Sequence, residues 1–268
     1  MPIKPWEELT IADDYMFKLV MRRKHICKRM LEKILRVRIR DIVYLEEEKT
    51  LKATYAGKGI RLDVYVADDK KTVFCVEMQV RRPEGAGLFC RTRYYQSMID
   101  ADLLAAGADY DELNRTYIIF ICPFALFDGK RHLYTFRNVC LEDHAVELGD
   151  GTTKIFLSTK GKIDDVPADV KAFLEYIDGI ASDDDFVTEI HDMIRKLKEQ
   201  EAERVSYMTY AMKLMEERKE GREEGRMEGK MEAVMDLMQT TGWTIEKALE
   251  ALKIPKVEWD RYKSLTHG

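Results

Sequence analysis

RLDVYVADDKKTVFCVEMQV, residues 61–80, is the stretch whose reading decides the fold. Two runs rich in Val, Tyr and Phe flank the polar tetrad DDKK, the pattern of two strands joined by a tight turn. Paired residues of a hairpin share a constant index sum, and a turn centred on Asp69 and Lys70 sets that sum near 139–140. At 140, Asp63 lies opposite Glu77. Strict alternation then puts Ile60, Leu62, Val64 and Val66 on one face with Phe74, Val76, Met78 and Val80. Arg61, Asp63 and Tyr65 share the other face with Cys75, Glu77, Gln79 and Arg81. A slip of one residue would set charge against core, so burial selects this register.

Two adjacent carboxylates repel each other and are costly in a low-dielectric site. A divalent cation bridging them removes that cost. Mg²⁺ or Mn²⁺ accepts carboxylate oxygens together with water and keeps positions open for phosphate oxygens. Gln79, one pleat along, can hydrogen-bond the water or the ligand shell. The spacing alone also fits a salt-bridged sheet face in which Arg61 and Arg81 neutralise the acids.

Outward from the hairpin, DDYMFKLVMRRKHICKRMLEKIL (13–35) has helical apolar spacing, with Asp13 and Asp14 at its start. Three strands are expected at about 41–54, 59–67 and 72–80, the first two separated by the turn signal YAGKG. Residues 88–106 read as a second helix ending at Gly107, and RTYIIFICPF (115–124) as a buried strand with parallel neighbours. Residues 131–159 hold further short strands. From Pro167 onward the pattern is helical: KAFLEYIDGI, then a long helix from DDDFVTEI to MEERKEG. Gly221, Gly225 and Gly229 then recur every four residues. Each glycine costs a helix interior about 1 kcal/mol, so this segment reads as a charged, frayed linker, with a close helix–helix stripe as the alternative. Residues 233–265 read as three short helices punctuated by Gly242, Thr244 and Pro255. The domain expectation is 1–160, a helical extension 161–232 and a small helical module 233–268.

The chain has 268 residues, of which 35% are charged, for a net charge of −5. Residues 1–140 carry 25 Lys and Arg against 20 Asp and Glu, whereas the remainder carries 19 against 29, so the positive charge is in the first half. It concentrates between Lys18 and Arg40, ten basic residues against Glu32 alone. Such a flank, with Arg22 and Arg23 within it, can neutralise phosphates or be a solvated helix face. No apolar run is long enough to span a membrane, and the N-terminus lacks a signal core. Five scattered cysteines, none in a CxxC pair, read as reduced thiols. The expectation is a cytoplasmic protein without membrane attachment. The five histidines show no paired-ligand spacing, and no P-loop is present.

The order of elements, with the pattern D-x13-E-x-Q across strands two and three, resembles the PD-(D/E)XK nuclease superfamily. More specifically, DDYMFKLV (13–20), RLDVYVADDKKTVFCVEMQV, RTRYYQSMI (91–99) and the glycine-punctuated tail resemble the Rpn family of recombination-promoting nucleases and transposase-like proteins. The resemblance spans most of the chain. It implies an α/β fold with a restriction-endonuclease-like core and an α-helical C-terminal region. It also implies a Mg²⁺- or Mn²⁺-dependent DNA endonuclease, linked to recombination or mobile elements. By position Asp63 and Glu77 match the metal-binding acids, and Gln79 stands where the superfamily has lysine. Asp14 matches the auxiliary acid of the first helix, with Asp13 close behind. Arg91 and Tyr95, four apart on the second helix, are candidates for gripping DNA, the alternative being core tyrosines and an Arg91 paired with an acid; Arg22 and Arg23 are further DNA-binding candidates. The alternative function is a catalytically weak or inactive DNA-binding scaffold that forms a homo-oligomer through its long C-terminal helix.

Overall fold

The computed structural model describes residues 3–52, 58–83, 85–127 and 129–265. The end of the first expected strand, most of the YAGKG turn and His267 lie outside the described residues. The described residues divide into two compact units, residues 4–204, and residue 3 together with the residues from 205 onward.

The hairpin forms in the expected register. Strand β2 (Ile60–Asp68) pairs antiparallel with β3 (Val73–Met78) through Val64–Val76, Tyr65–Cys75, Val66–Phe74 and Ala67–Val73, all with the sum 140. The turn is closed by Asp68, whose Oδ1 accepts the amides of Lys70 (2.9 Å) and Thr72 (2.7 Å), while Lys71 takes a left-handed φ of 62°. Strand β1 (Ile42–Leu51) pairs antiparallel with β2 on its outer side. On the inner side β3 pairs in parallel with β4 (Thr116–Cys122), β4 in parallel with β6 (Thr152–Ser158), and β5 (Leu133–Phe136) closes the far edge antiparallel to β6. The order is β1-β2-β3-β4-β6-β5. β4 is the apolar strand TYIIFIC, and its two parallel neighbours explain why it must be apolar on both faces.

Helices cover both faces. On one, α3 (Gly87–Leu103) seals a core of Tyr65, Cys75, Leu88, Tyr95, Met98, Ile99, Ile118, Phe120 and Phe156. On the other pack α1 (Asp14–Met21), α2 (Lys24–Leu35), α4 (Ala168–Ile177) and α5 (Asp185–Lys198). The single helix expected over 13–35 is therefore two. Arg23 takes an extended conformation (φ −78°, ψ 103°) and breaks it. α1 then packs on β2 and α5, while α2 meets β1, α4 and α5. Likewise the long helix expected from Asp183 is broken at Glu199 and Gln200 into α5 and α6 (Glu201–Thr241).

α6 corrects a second expectation. Gly221, Gly225 and Gly229 lie inside this 41-residue helix and not in a linker. The residues around them are strong helix formers, Glu, Arg, Lys and Met, whose propensity outweighs the cost of three glycines. α6 ends at Gly242, which supplies φ 67°. Two short helices follow, α7 (Ile245–Ala251), capped by Thr244 Oγ1 on the Lys247 amide (3.4 Å), and α8 (Trp259–Leu265). With the end of α6 they bury Val234, Ala248, Leu249, Ile254 and Tyr262 in a core of their own. Among the described residues no helix is long and apolar enough to cross a membrane.

Candidate active site

Face alternation along β2 is interrupted at Asp63. Strict pleating sets Ile60 and Leu62 opposite Tyr65, yet all three join the core beneath α3. The ladder to β3 runs only as far as Val64–Val76. On the outer side, Glu47 and Lys49 pair with Val64 and Leu62, and Glu48 between them has φ 58°. The two acids stand where the ladder opens, and each takes over a backbone bond. The Asp63 amide donates to Glu77 Oε1 (2.9 Å), and the Met78 amide donates to Asp63 Oδ2 (3.2 Å). The awkward carboxylates are thus satisfied by the amides that the splayed strands free.

α1 delivers the next two groups. Asp14 and Lys18, four apart, share a face of the helix. Lys18 is 4% exposed. Its Nζ lies 2.8 Å from Asp14, 3.1 Å from Glu48 and 3.2 Å from Asp63. Asp13 turns away and accepts from the Thr10 amide (2.8 Å) and Lys4. The choice between the two neighbouring aspartates is therefore resolved in geometry: Asp14 joins the acids. From α3, Arg91 donates to Gln79 Oε1, and its guanidinium lies 4.9 Å from the Phe120 ring centre. Gln79 Nε2 donates to the Arg81 carbonyl, so both ends of its amide are held.

The electrostatics follow from burial. Desolvation raises the Glu77 carboxyl well above its usual range, and the neighbouring Asp63 raises it further, against the opposing Asp63 amide and Arg91 charge. Asp63 is raised for the same reason, with the Asp14 charge adding to it and Lys18 opposing. Burial would lower the Lys18 pKa, but Asp63, Asp14 and Glu48 together hold it above its ordinary value. With all four carboxyls ionised against the two fixed cations, the site would carry two excess negative charges, which one divalent ion would cancel, and carboxylate oxygens are hard donors suited to Mg²⁺ or Mn²⁺. Asp63 and Glu77 fit such an ion in chemistry. Among the described residues no group of three or more acids, histidines or cysteines is arranged to hold a metal, and Lys18 bridges three of the four acids instead.

The structure brings together Asp63, Glu77, Gln79, Arg91 and Asp14 of the residues singled out from sequence. Tyr95 is buried against Phe120, in the core and beneath Arg91. Arg22 and Arg23 lie at the far end of α1 from Asp14, where Arg22 pairs with Glu203 (3.4 Å). Most of the basic flank is likewise engaged internally. Arg29 pairs with Glu189, Lys33 and Arg36 with Asp169, and Lys24 and Lys28 donate to the carbonyls of Ile42 and Arg40. Arg61 and Arg81, the neutralisers in the salt-bridge reading, form no ion pair among the described residues; Lys18 takes that role. Lys18 and Glu48 were not foreseen as site residues. The Asp14–Lys18 spacing was a legible signal, whereas nothing singles Glu48 out of the run Glu46-Glu47-Glu48.

The model for the PD-(D/E)XK nuclease family transposases matches residues 11–240. No curated protein and no solved structure matches the chain.

Proposed function

Because the chain belongs to the PD-(D/E)XK nuclease family transposases, we propose that it is a divalent-metal-dependent endonuclease that hydrolyses DNA phosphodiesters. The observation that carries this reading is the reciprocal bonding of Asp63 and Glu77 at the point where β2 and β3 part. It sets the buried Glu77 and the partly buried Asp63 carboxylates side by side, where ionising both calls for a further cation.

Asp63 and Glu77 are the residues that would hold the ion. The chemistry that Mg²⁺ or Mn²⁺ would supply there is Lewis acidity toward the phosphodiester and the attacking water. The protein's part is placement. The Asp63 and Met78 amides fix both carboxylates, so their ionised forms are pre-oriented. Gln79 cannot supply the charge of a lysine. It tethers Arg91, and Arg91 brings a permanent positive charge to the Glu77 side of the site. Lys18 does the same on the Asp63 side. Both cations would offset the negative charge that grows on a phosphate held at these acids.

The test is nicking of supercoiled plasmid with Mg²⁺ or Mn²⁺. Asp63→Asn and Glu77→Gln should each reduce the rate by at least ~100-fold. Parental rates in both variants would remove the site assignment. One observation favours a second reading: Lys18 already bridges Asp14, Glu48 and Asp63. On that reading the site is self-neutralised and the protein is a DNA-binding scaffold. Retention of DNA with no heat of Mn²⁺ binding in a calorimetric titration would select it.

A further inference from the structure

The charge count along the chain directs attention to the α2 flank, but in the fold five of its ten cations form ion pairs, and Lys24 and Lys28 donate to backbone carbonyls. A separate group of cations lies at the start of β2 and on α3. A groove of about 600 Å³ runs between the start of β2 and the first turns of α3, lined by Lys58, Arg61, Arg91, Arg93, Tyr94 and the exposed Cys90 among others. No carboxylate is among its described lining residues. Arg61 and Arg93 are exposed, and like Lys58 they form no ion pair among the described residues.

Three further features mark the groove as built for an anion. The Tyr94 hydroxyl donates to the Lys58 carbonyl (2.5 Å), tying the start of β2 to α3 and holding the walls together. Arg91 Nε is buried without a hydrogen-bond partner, an uncompensated donor beside the groove. The first turn of α3 carries no acidic residue and no side-chain cap, so its amide dipoles favour negative charge there. Arg91 also links the groove to the acids, because it lines the first and holds Gln79 of the second.

We propose that this groove binds the phosphodiester backbone of DNA and delivers it to Asp63 and Glu77, with Arg61, Arg93 and Lys58 contacting successive phosphates. The proposal rests on the nuclease reading only for the identity of the anion. It places the DNA along α3 and not along the basic flank of α2.

The experiment is anisotropy of a fluorescein-labelled duplex with the full chain in EDTA, where hydrolysis is suppressed, over a series of salt concentrations. Arg61→Ala/Arg93→Ala should weaken binding about tenfold and reduce the log–log salt slope by about 2, one unit per lost phosphate contact. Arg61→Lys/Arg93→Lys should keep the slope, and Arg38→Ala/Arg40→Ala on the α2 flank should bind like the parent. In a Cys140→Ser background, DNA should slow maleimide labelling of Cys90. Melting curves check that each variant is folded. The proposal is overturned if the parent does not bind, if the groove variant binds within twofold of it, or if the α2 variant alone loses affinity. A parent that binds through the groove and never nicks DNA would sink the hydrolase reading and leave this one standing.

Discussion

Glu77 is the residue on which burial and function conflict most directly. Its native pKa is raised above the ordinary carboxylate range, so the folded, metal-free protein binds this proton more tightly than the unfolded chain does. The stability associated with it is full below the ordinary carboxylate pKa. It is lost as pH rises through the raised native value. Glu77→Gln keeps the shape and accepts the Asp63 amide through its carbonyl. Thermal melts in EDTA should therefore show Glu77→Gln more stable than the parent by about 1–3 kcal/mol at pH 8, and the two nearly equal at pH 4. A constant difference across that range would contradict the assignment. Lys18 behaves oppositely. Removing it leaves three clustered carboxylates without their common partner, so Lys18→Met should cost ~3 kcal/mol in the metal-free protein. Added Mn²⁺ should recover part of the loss, measured as a larger metal-induced rise in Tm than the parent shows. Of these residues, Glu77 was legible because a carboxylate in an apolar strand needs a reason. Lys18 is one of ten basic residues between 18 and 40, and although its spacing from Asp14 was a signal, a one-dimensional charge count cannot tell a buried counter-ion from a solvated one.

At the scale of elements, the basic flank of α2 turns out to be a fastening. Lys33 (2.9 Å) and Arg36 (2.7 Å) both hold Asp169 at the first turn of α4, and Arg29 holds Glu189 of α5. Burial acts against ionisation of Asp169, but its bonds to Lys33 and Arg36 outweigh it and depress the carboxyl pKa. With a depressed native pKa, the stabilisation is present above the unfolded value and is lost as pH falls through the native one. Asp169→Asn should lower Tm at neutral pH and flatten its decline below the ordinary carboxylate range; an unchanged acid limb would contradict this. The far edge of the sheet depends on Gly161. A Cβ there would lie 2.4 Å from the His132 ring and 2.6 Å from its backbone nitrogen, next to the start of β5. The backbone cannot step aside as a flexible side chain could, so Gly161→Ala should cost about 1–3 kcal/mol in denaturant titration. The register of β2 against β3 was readable from the DDKK turn and the alternating apolar residues, because a slip exposes core. The break at Arg22 and Arg23 was not readable: 13–35 keeps helical spacing throughout, and only packing on two different partners divides it.

For the whole molecule, the α/β core follows from three local patterns: a hairpin with one register, an amphipathic helix after it, and a strand apolar on both faces. Each is short-range, and together they leave few ways to close a sheet. The site is long-range and was only half visible. Asp63 and Glu77 are joined by the hairpin that sequence predicts. Glu48 reaches them through a left-handed residue on β1, Lys18 through the docking of α1, and Arg91 through the packing of α3 on Phe120. The charge excess at this junction is the central claim, and a calorimetric titration of Mn²⁺ into the full chain tests it most directly. The account predicts one ion bound by the parent and none by Asp63→Asn/Glu77→Gln at the same protein concentration, with plasmid nicking lost in step. Equal binding by parent and variant, or nicking by the parent undiminished in EDTA, would contradict it.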